Sequence, residues 1–204
     1  MLEALDLAAR RGTLHLFHGL SLRVPPGEAL VVSGRNGSGK TTLLRILAGL
    51  SRPAAGRVTW NGQDVARHDA AMRADTCFAG HLPGLKDELT ASENLRALAT
   101  LGGAAPDDDS LRQALADAGL DSRRNLPARA LSQGQRRRVA LARLQLGAQR
   151  LWLLDEPTTA LDIDGLAMLT ALVSRHLTRG GTVVAATHQP LDLPLHRVRS
   201  CALS

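Results

Sequence analysis

The sequence predicts an α/β fold in which a mostly parallel sheet carries a helical insertion, and three stretches dictate that reading. "ALVVS" (29–33) is an apolar strand that runs straight into "GRNGSGKTT" (34–42), a glycine-rich turn that opens a helix. "LWLLDE" (151–156) is apolar at every position but its last two, the pattern of a strand covered on both faces in a parallel sheet. A helix over 163–178, the Gly180–Gly181 break and the strand "TVVAAT" (182–187) complete a further crossover.

The remaining elements follow in chain order. "LSLRV" (20–24) alternates apolar and polar residues, and "PPGE" turns the chain into "ALVVS", so two strands lead to the glycine loop. Apolar residues recur at helical spacing in "TTLLRILAGL" and stop at Gly49. "RVTWNGQ" reads as a strand entering an Asn61–Gly62 turn. From Leu89 the periodicity changes. "TASENLRALATL" opens on the reciprocal capping pair Thr90 and Glu93, and "DDDSLRQALADAGL" and "QGQRRRVALARLQL" are two more amphipathic helices. Residues 85–147 are therefore expected to form a helical subdomain inserted in a core made of 1–84 and 148–204. At 204 residues, one domain is the expectation.

Composition narrows the function classes. Only four residues are aromatic and none is tyrosine, which disfavours base stacking on nucleic acid. The net charge of +6 and pI near 10.8 come from 23 arginines against two lysines, scattered along the chain rather than gathered in a stripe. No direct nucleic-acid partner is expected from that distribution. Cys77 and Cys201 fall in no metal or haem-attachment spacing and suit a reducing cytoplasm. No secretion signal is apparent, and the apolar runs are far shorter than the roughly 18 residues that cross a bilayer.

Gly34 to Thr41 has the spacing G-x-x-x-x-G-K-[ST] between a strand and a helix, the context in which this spacing cradles phosphate. Its glycines let backbone N–H groups turn inward, Lys40 reaches the β and γ phosphates, and the Thr41 hydroxyl ligates Mg²⁺. One of the two lysines stands here in a chain that otherwise writes arginine, which indicates a need for a compact point charge. At the end of the buried strand, Asp155 is placed to hold Mg²⁺ through water and Glu156 to polarise the water that attacks the γ-phosphate. His188, at the tip of the last strand read, has a ring nitrogen suited to that phosphate.

"LSQGQ" (131–135) is a second anion-facing turn. Ser132 and Gly134 precede a helix, whose dipole adds to their hydroxyl and N–H groups. No second lysine loop or Asp-Glu strand accompanies it, so the economical arrangement is two copies, head to tail, each turn capping the ATP held by the other.

These motifs, in this order and spacing, resemble the ATP-binding subunits of ABC transporters over nearly the whole chain. The resemblance implies a P-loop NTPase fold of ABC type with an antiparallel β subdomain, a homodimer that closes on ATP, and a membrane partner docked on the helical insertion. It places Gly34, Arg35, Asn36, Gly37, Ser38, Gly39, Lys40, Thr41 and Thr42 around the triphosphate, Ser132, Gly134 and Gln135 in the signature loop, and Asp162 of "TALD" in a loop facing the other copy. A narrower resemblance rests on "GHLPGLKDELTASENL", "QRRRVALARL" and "THQPL". It is to the CcmA family, the ATPases of the haem exporter that serves cytochrome c maturation. That implies integral inner-membrane partners of the CcmB and CcmC kind, a peripheral position on the cytoplasmic face, and ATP hydrolysis that powers transfer of haem to, or release of, the periplasmic haem chaperone CcmE. No direct haem binding is expected of this chain.

Two positions depart from the ABC pattern. His81 stands where a Mg²⁺-ligating glutamine is usual; imidazole is a poor partner for a hard cation, so His81 is expected to meet the metal only through water or to serve the coupling role alone. Arg11 stands where an adenine-stacking aromatic is usual, and guanidinium stacking leaves base selectivity loose. The motifs read the engine and not the cargo. The same engine could serve a drug or lipid exporter, and a soluble ATPase of DNA repair or translation is the alternative outside transport, although no zinc module, coiled coil or second cassette accompanies it.

Overall fold

The structure is a computed structural model, and it describes residues 1–65, 70–189 and 191–203. The chain divides into two compact units, one of Met1–Phe78, Gln149–Glu156 and Ser174–Ser204, the other of Ala79–Ala148 and Pro157–Val173.

In the first unit, β1 (Leu2–Arg11), β2 (Leu14–Val24), β4 (Ala55–Trp60) and β5 (Gln63–Asp64) form an antiparallel sheet in the order β2-β1-β4-β5. The antiparallel sheet that the ABC resemblance implies is therefore present. Strand β1 was not among the strands read from sequence, for a physical reason. Its buried residues are Leu2, Ala4, Leu7 and Ala9, so the period of two breaks between Ala4 and Leu7. The pairing shifts register there and Asp6 takes φ 49°, a bulge that hides the alternation. The strand expected at 20–24 begins earlier, at Leu14. The Asn61–Gly62 turn has φ 52° and 80°, as a two-residue hairpin loop between β4 and β5 requires.

A second sheet joins β3 (Ala29–Gly34), β6 (Thr76–Ala79), β7 (Leu151–Asp155), β8 (Thr182–Ala186) and β9 (Val198–Leu203) in the order β6-β7-β8-β3-β9. The β7–β8, β8–β3 and β3–β9 pairs are parallel. Ala186 stands in register with both Asp155 and Val32, so β7 and β8 end level and β3 runs two residues past them to Gly34. Whatever follows those three strands is delivered to one edge, the usual ligand edge of a parallel sheet. Helix α1 (Lys40–Leu47) follows β3 and buries Leu43, Leu44, Ile46 and Leu47 in the core that backs this sheet. It stops as expected: Gly49 takes φ 70° and Leu50 N–H returns to Arg45 C=O at 2.8 Å. The short helix α2 (Ala70–Asp75) ends at Asp75, which accepts from the Trp60 indole at 2.6 Å and pairs with Arg150.

The second unit contains α3 (Ala91–Leu101), α4 (Asp108–Asp117) and α5 (Gln133–Ala142) around Leu95, Leu111, Leu115, Leu131 and Val139. Each helix starts where its cap dictates. Thr90 and Glu93 close a capping box, Asp107 accepts from Ser110 N–H, and Ser132 and Gln135 close a second box. Helix α6 spans Ile163–Thr178, the range the sequence predicts.

Candidate functional site

The glycine loop is shaped by what surrounds it. Gly34 ends β3 with φ 146°, and a Cβ there would stand 2.5 Å from the Leu203 carbonyl oxygen of β9, so no other residue fits. Gly39, φ 98°, lets the loop lie on β2; a Cβ there would stand 3.1 Å from Leu16 Cβ. Between them Ser38 N–H donates to Arg35 C=O at 3.1 Å. The Ser38 hydroxyl oxygen is buried with no hydrogen-bond partner among the described residues, a polar atom inside the loop that a phosphate oxygen would satisfy. The donor set therefore fits a bound triphosphate.

Lys40, 7% exposed, turns its ammonium back over the loop. It donates to Gly34 C=O at 2.8 Å and Arg35 C=O at 3.3 Å, meets His188 Nε2 at 3.1 Å, and stands 3.9 Å from Glu156 Oε1. One residue on, the Thr41 hydroxyl donates to Asp155 Oδ2 at 2.9 Å and Oδ1 at 3.1 Å. An alcohol oxygen beside a carboxylate is the hard donor pair that Mg²⁺ prefers. Glu156 leaves the strand with φ 47°, held by its N–H to Ala186 C=O at 2.8 Å. That left-handed step, uncommon for a residue with a side chain, aims the carboxylate along the strand edge instead of into a sheet face.

His188 Nε2 also lies 3.4 Å from Glu156 Oε1 and 3.2 Å from Asn36 Oδ1. One nitrogen cannot serve all these partners at once. Carrying no proton it accepts from Lys40; carrying one it donates to Glu156 or Asn36. The ring thus has two hydrogen-bonding states, and the proton decides between them.

The second unit holds the other expected residues. Ser132 Oγ accepts from Gln135 N–H at 3.2 Å while Gln135 Oε1 accepts from Ser132 N–H at 3.0 Å, so the box fixes the turn around the exposed Ser132. Gly134 passes close to the next segment: a Cβ there would stand 2.7 Å from Ala160 C=O. Asp162 is exposed, accepts from Gly165 N–H at 3.0 Å and pairs with Arg138; the Arg138 hydrogen bond first, and the Gly165 N–H second, hold its carboxyl below the usual range. His81 is exposed, its carbonyl taken by Arg137 at 3.0 Å. Among the described residues no group of three or more His, Cys, Asp or Glu side chains is placed to hold a metal. Arg11 is exposed at the end of β1, in register with Leu14. Neither Cys77 nor Cys201 forms a disulfide, and burial pushes the Cys201 thiol up.

Sequence reasoning assigns no task to the triplet Arg136–Arg138, yet Arg136 and Arg137 hold the two ends of the stretch 80–87 and Arg138 meets Asp162. The signal was present. Consecutive helical residues point about 100° apart, so three arginines in a row cannot share one solvent-facing side.

Known proteins bear on this geometry. The sequence profile of the ABC transporter family matches residues 17–159. A "cytochrome c biogenesis ATP-binding export protein CcmA" from Nitrosomonas europaea is 48% identical over 204 residues, 100% of this chain and 96% of that protein. Its counterpart from Pseudomonas aeruginosa is 50% identical over 193 residues, 95% of each. Among solved structures, a putative ABC transporter ATP-binding protein from Pyrococcus furiosus superposes with a TM-score of 0.84 over 99% of this chain and 96% of its own, at 24% identity. A dimeric ATP-binding cassette in a post-hydrolysis state, bound to ADP and Pi, superposes with a TM-score of 0.80 over 93% of this chain and 88% of its own, at 26% identity. Among the described residues no helix is long and apolar enough to cross a membrane.

Proposed function

Because this chain belongs to the ABC transporter family of ATP-binding proteins, we propose that it is the ATP-hydrolysing subunit of the haem exporter of cytochrome c biogenesis. Two copies act together at the cytoplasmic face of the inner membrane, bound to integral subunits of the CcmB and CcmC kind. The convergence of Lys40, Thr41, Asp155, Glu156 and His188 at one sheet edge carries the catalytic part of this reading. The relatives' shared role in cytochrome c biogenesis carries the physiological part.

In this reading the ATP triphosphate lies in the loop of Gly34–Thr42, where Lys40 redirects its ammonium from the loop carbonyls to the β and γ oxygens. Thr41 and Asp155 would hold Mg²⁺, which supplies charge neutralisation on those oxygens. Glu156 accepts the proton of the attacking water as its oxygen bonds to the γ-phosphorus, and ADP leaves. His188 hydrogen-bonds the γ-phosphate and senses its departure through its link to Glu156. The Ser132 turn of the second copy, with Gly134 and Gln135, donates to the same phosphate from the far side, and Asp162 lies along that interface. Arg11 faces the base, and His81 serves coupling to the membrane subunits or meets the metal through water.

Affinity purification of the tagged chain from solubilised membranes, with mass spectrometry, haem absorbance and ATPase measurement, tests this. Cytochrome maturation proteins and ATP hydrolysis are expected in the eluate. Recovery of unrelated exporter subunits alone removes the haem assignment, and stimulation by nucleic acid at physiological salt removes the transport one.

A further inference from the structure

The three arginines of α5 divide their work within the second unit. Arg137, 4% exposed, donates from one guanidinium nitrogen to Gly80 C=O at 2.9 Å and His81 C=O at 3.0 Å. Arg136 pairs with Asp87 at 2.6 Å and donates to Ala128 C=O at 3.2 Å. Between those two anchor points the chain runs without helix or strand, and Leu82 is 80% exposed. The far end of this arch is closed by Asn94, 2% exposed, which accepts from Lys86 N–H at 2.8 Å and donates to the carbonyls of Lys86, Leu89 and Thr90.

A guanidinium withdrawn from water is retained where fixed acceptors meet it, and here the acceptors are main-chain carbonyls, so Arg137 binds the path of the backbone and not a particular side chain. It stands five residues beyond Ser132 on the same helix, about 8 Å along the axis. The Ser132–Gln135 box stiffens that stretch. A displacement of Gly80 and His81 therefore reaches the Ser132 turn with little loss.

We propose that Arg136 and Arg137 are positioning residues that join the arch 80–87 to the Ser132 turn as one rigid piece, so that the placement of the arch decides where Ser132 presents its hydroxyl. This rests on the proposed function, in which Ser132 touches nucleotide. Neither arginine meets the reacting atoms. They act through Ser132, and their loss impairs turnover while leaving ATP loading on the Lys40 loop.

The test combines steady-state kinetics of the membrane complex with hydrogen exchange of the full chain for Arg137→Met, Arg137→Lys and Asp87→Asn. Arg137→Met is expected to keep KM for MgATP within about twofold and to lose about tenfold in kcat. Amides of 82–87 and 132–136 are expected to exchange faster together. Arg137→Lys, which restores donors to both carbonyls, recovers at least half of the lost kcat. Asp87→Asn, on an exposed side chain, gives the same pattern at about threefold and decides the matter if Arg137→Met fails to fold. Unaltered kcat in both Arg137→Met and Asp87→Asn, a rise in KM as large as the fall in kcat, no gain from lysine, or faster exchange at 82–87 with 132–136 unmoved overturns the proposal. If the unmodified complex hydrolyses no ATP, the proposed function fails instead. The exchange data then stand alone, joint loosening sustaining the link and separate loosening overturning it.

Discussion

Thr41 and Asp155, 114 residues apart in the chain, meet through one hydroxyl that donates to both oxygens of one carboxylate. The first residues of α1 and the last of β7 are thereby fixed to each other. Asp155→Asn keeps an acceptor for Thr41 but removes the charge. We expect the Mg²⁺ concentration for half-maximal binding of a fluorescent ATP analogue to rise by about 10- to 100-fold. Unchanged Mg²⁺ dependence would take Asp155 out of the metal site.

In the proposed function Glu156 has one residue-specific task, receiving a proton from water. Glu156→Gln preserves its size and its contact with His188 and removes its basicity. Turnover should fall by at least about 10²-fold while ATP affinity stays within about threefold. Light scattering with ATP present should show the variant accumulating as a dimer. Normal turnover by this protein would be incompatible with the assigned base.

Gly56 and Gly62 share φ near 80° but differ in their surroundings. A Cβ on Gly56 would lie 2.3 Å from Leu5 C=O and 2.5 Å from Asp6 C=O across the β1–β4 pair, whereas none of the described residues stands within 4 Å of one on Gly62. Gly56→Ala is expected to destabilise by about 3 kcal/mol or more and Gly62→Ala by about 1 kcal/mol. Urea unfolding midpoints compare them directly, and equal losses would mean that φ alone, and not the bulge, sets the cost.

His176 stacks on Trp152 with ring centroids 3.7 Å apart and 11° between planes, and its Nε2–H donates to Arg150 C=O at 3.2 Å. Burial, the leading cause, lowers its pKa to about 4 from 6.5. Between those values the unfolded chain binds the extra proton and the folded one does not. Stability is therefore full above pH 6.5 and is lost as pH falls toward 4, by about 2 kcal/mol once the partial exposure of the ring is allowed for. His176→Phe retains the stack and removes the proton. The difference in unfolding free energy between the two proteins should vanish or reverse on acidification through this window, and parallel pH profiles would refute the assignment.

What could be read in the sequence is what local chemistry alone determines. Glycines 34, 37 and 39 are forced by a backbone that must turn left-handed, Thr90–Glu93 by a helix that needs its first N–H groups met, and "LWLLDE" by burial on two faces. The sheet partners of β3 are distant in sequence and left no such trace. Strand β9 is partly exposed and polar, "VRSCAL", and its alternation is too weak to announce a strand. The spacing of Arg136–Arg138 shows that the three cannot all face solvent, but a charge carries no mark of the carbonyl it will meet. Arg137 is buried only because Gly80 and His81 come to it.

The placement of β3 has a consequence for biosynthesis. Its neighbours β8 and β9 leave the ribosome well after it, and the Leu203 carbonyl defines the wall against which Gly34 turns. Such long-range contacts form slowly and late. A nascent chain that has exposed Lys40 and Thr41 but not yet β9 thus lacks that wall, and nucleotide can stabilise the loop only once β9 has joined the sheet.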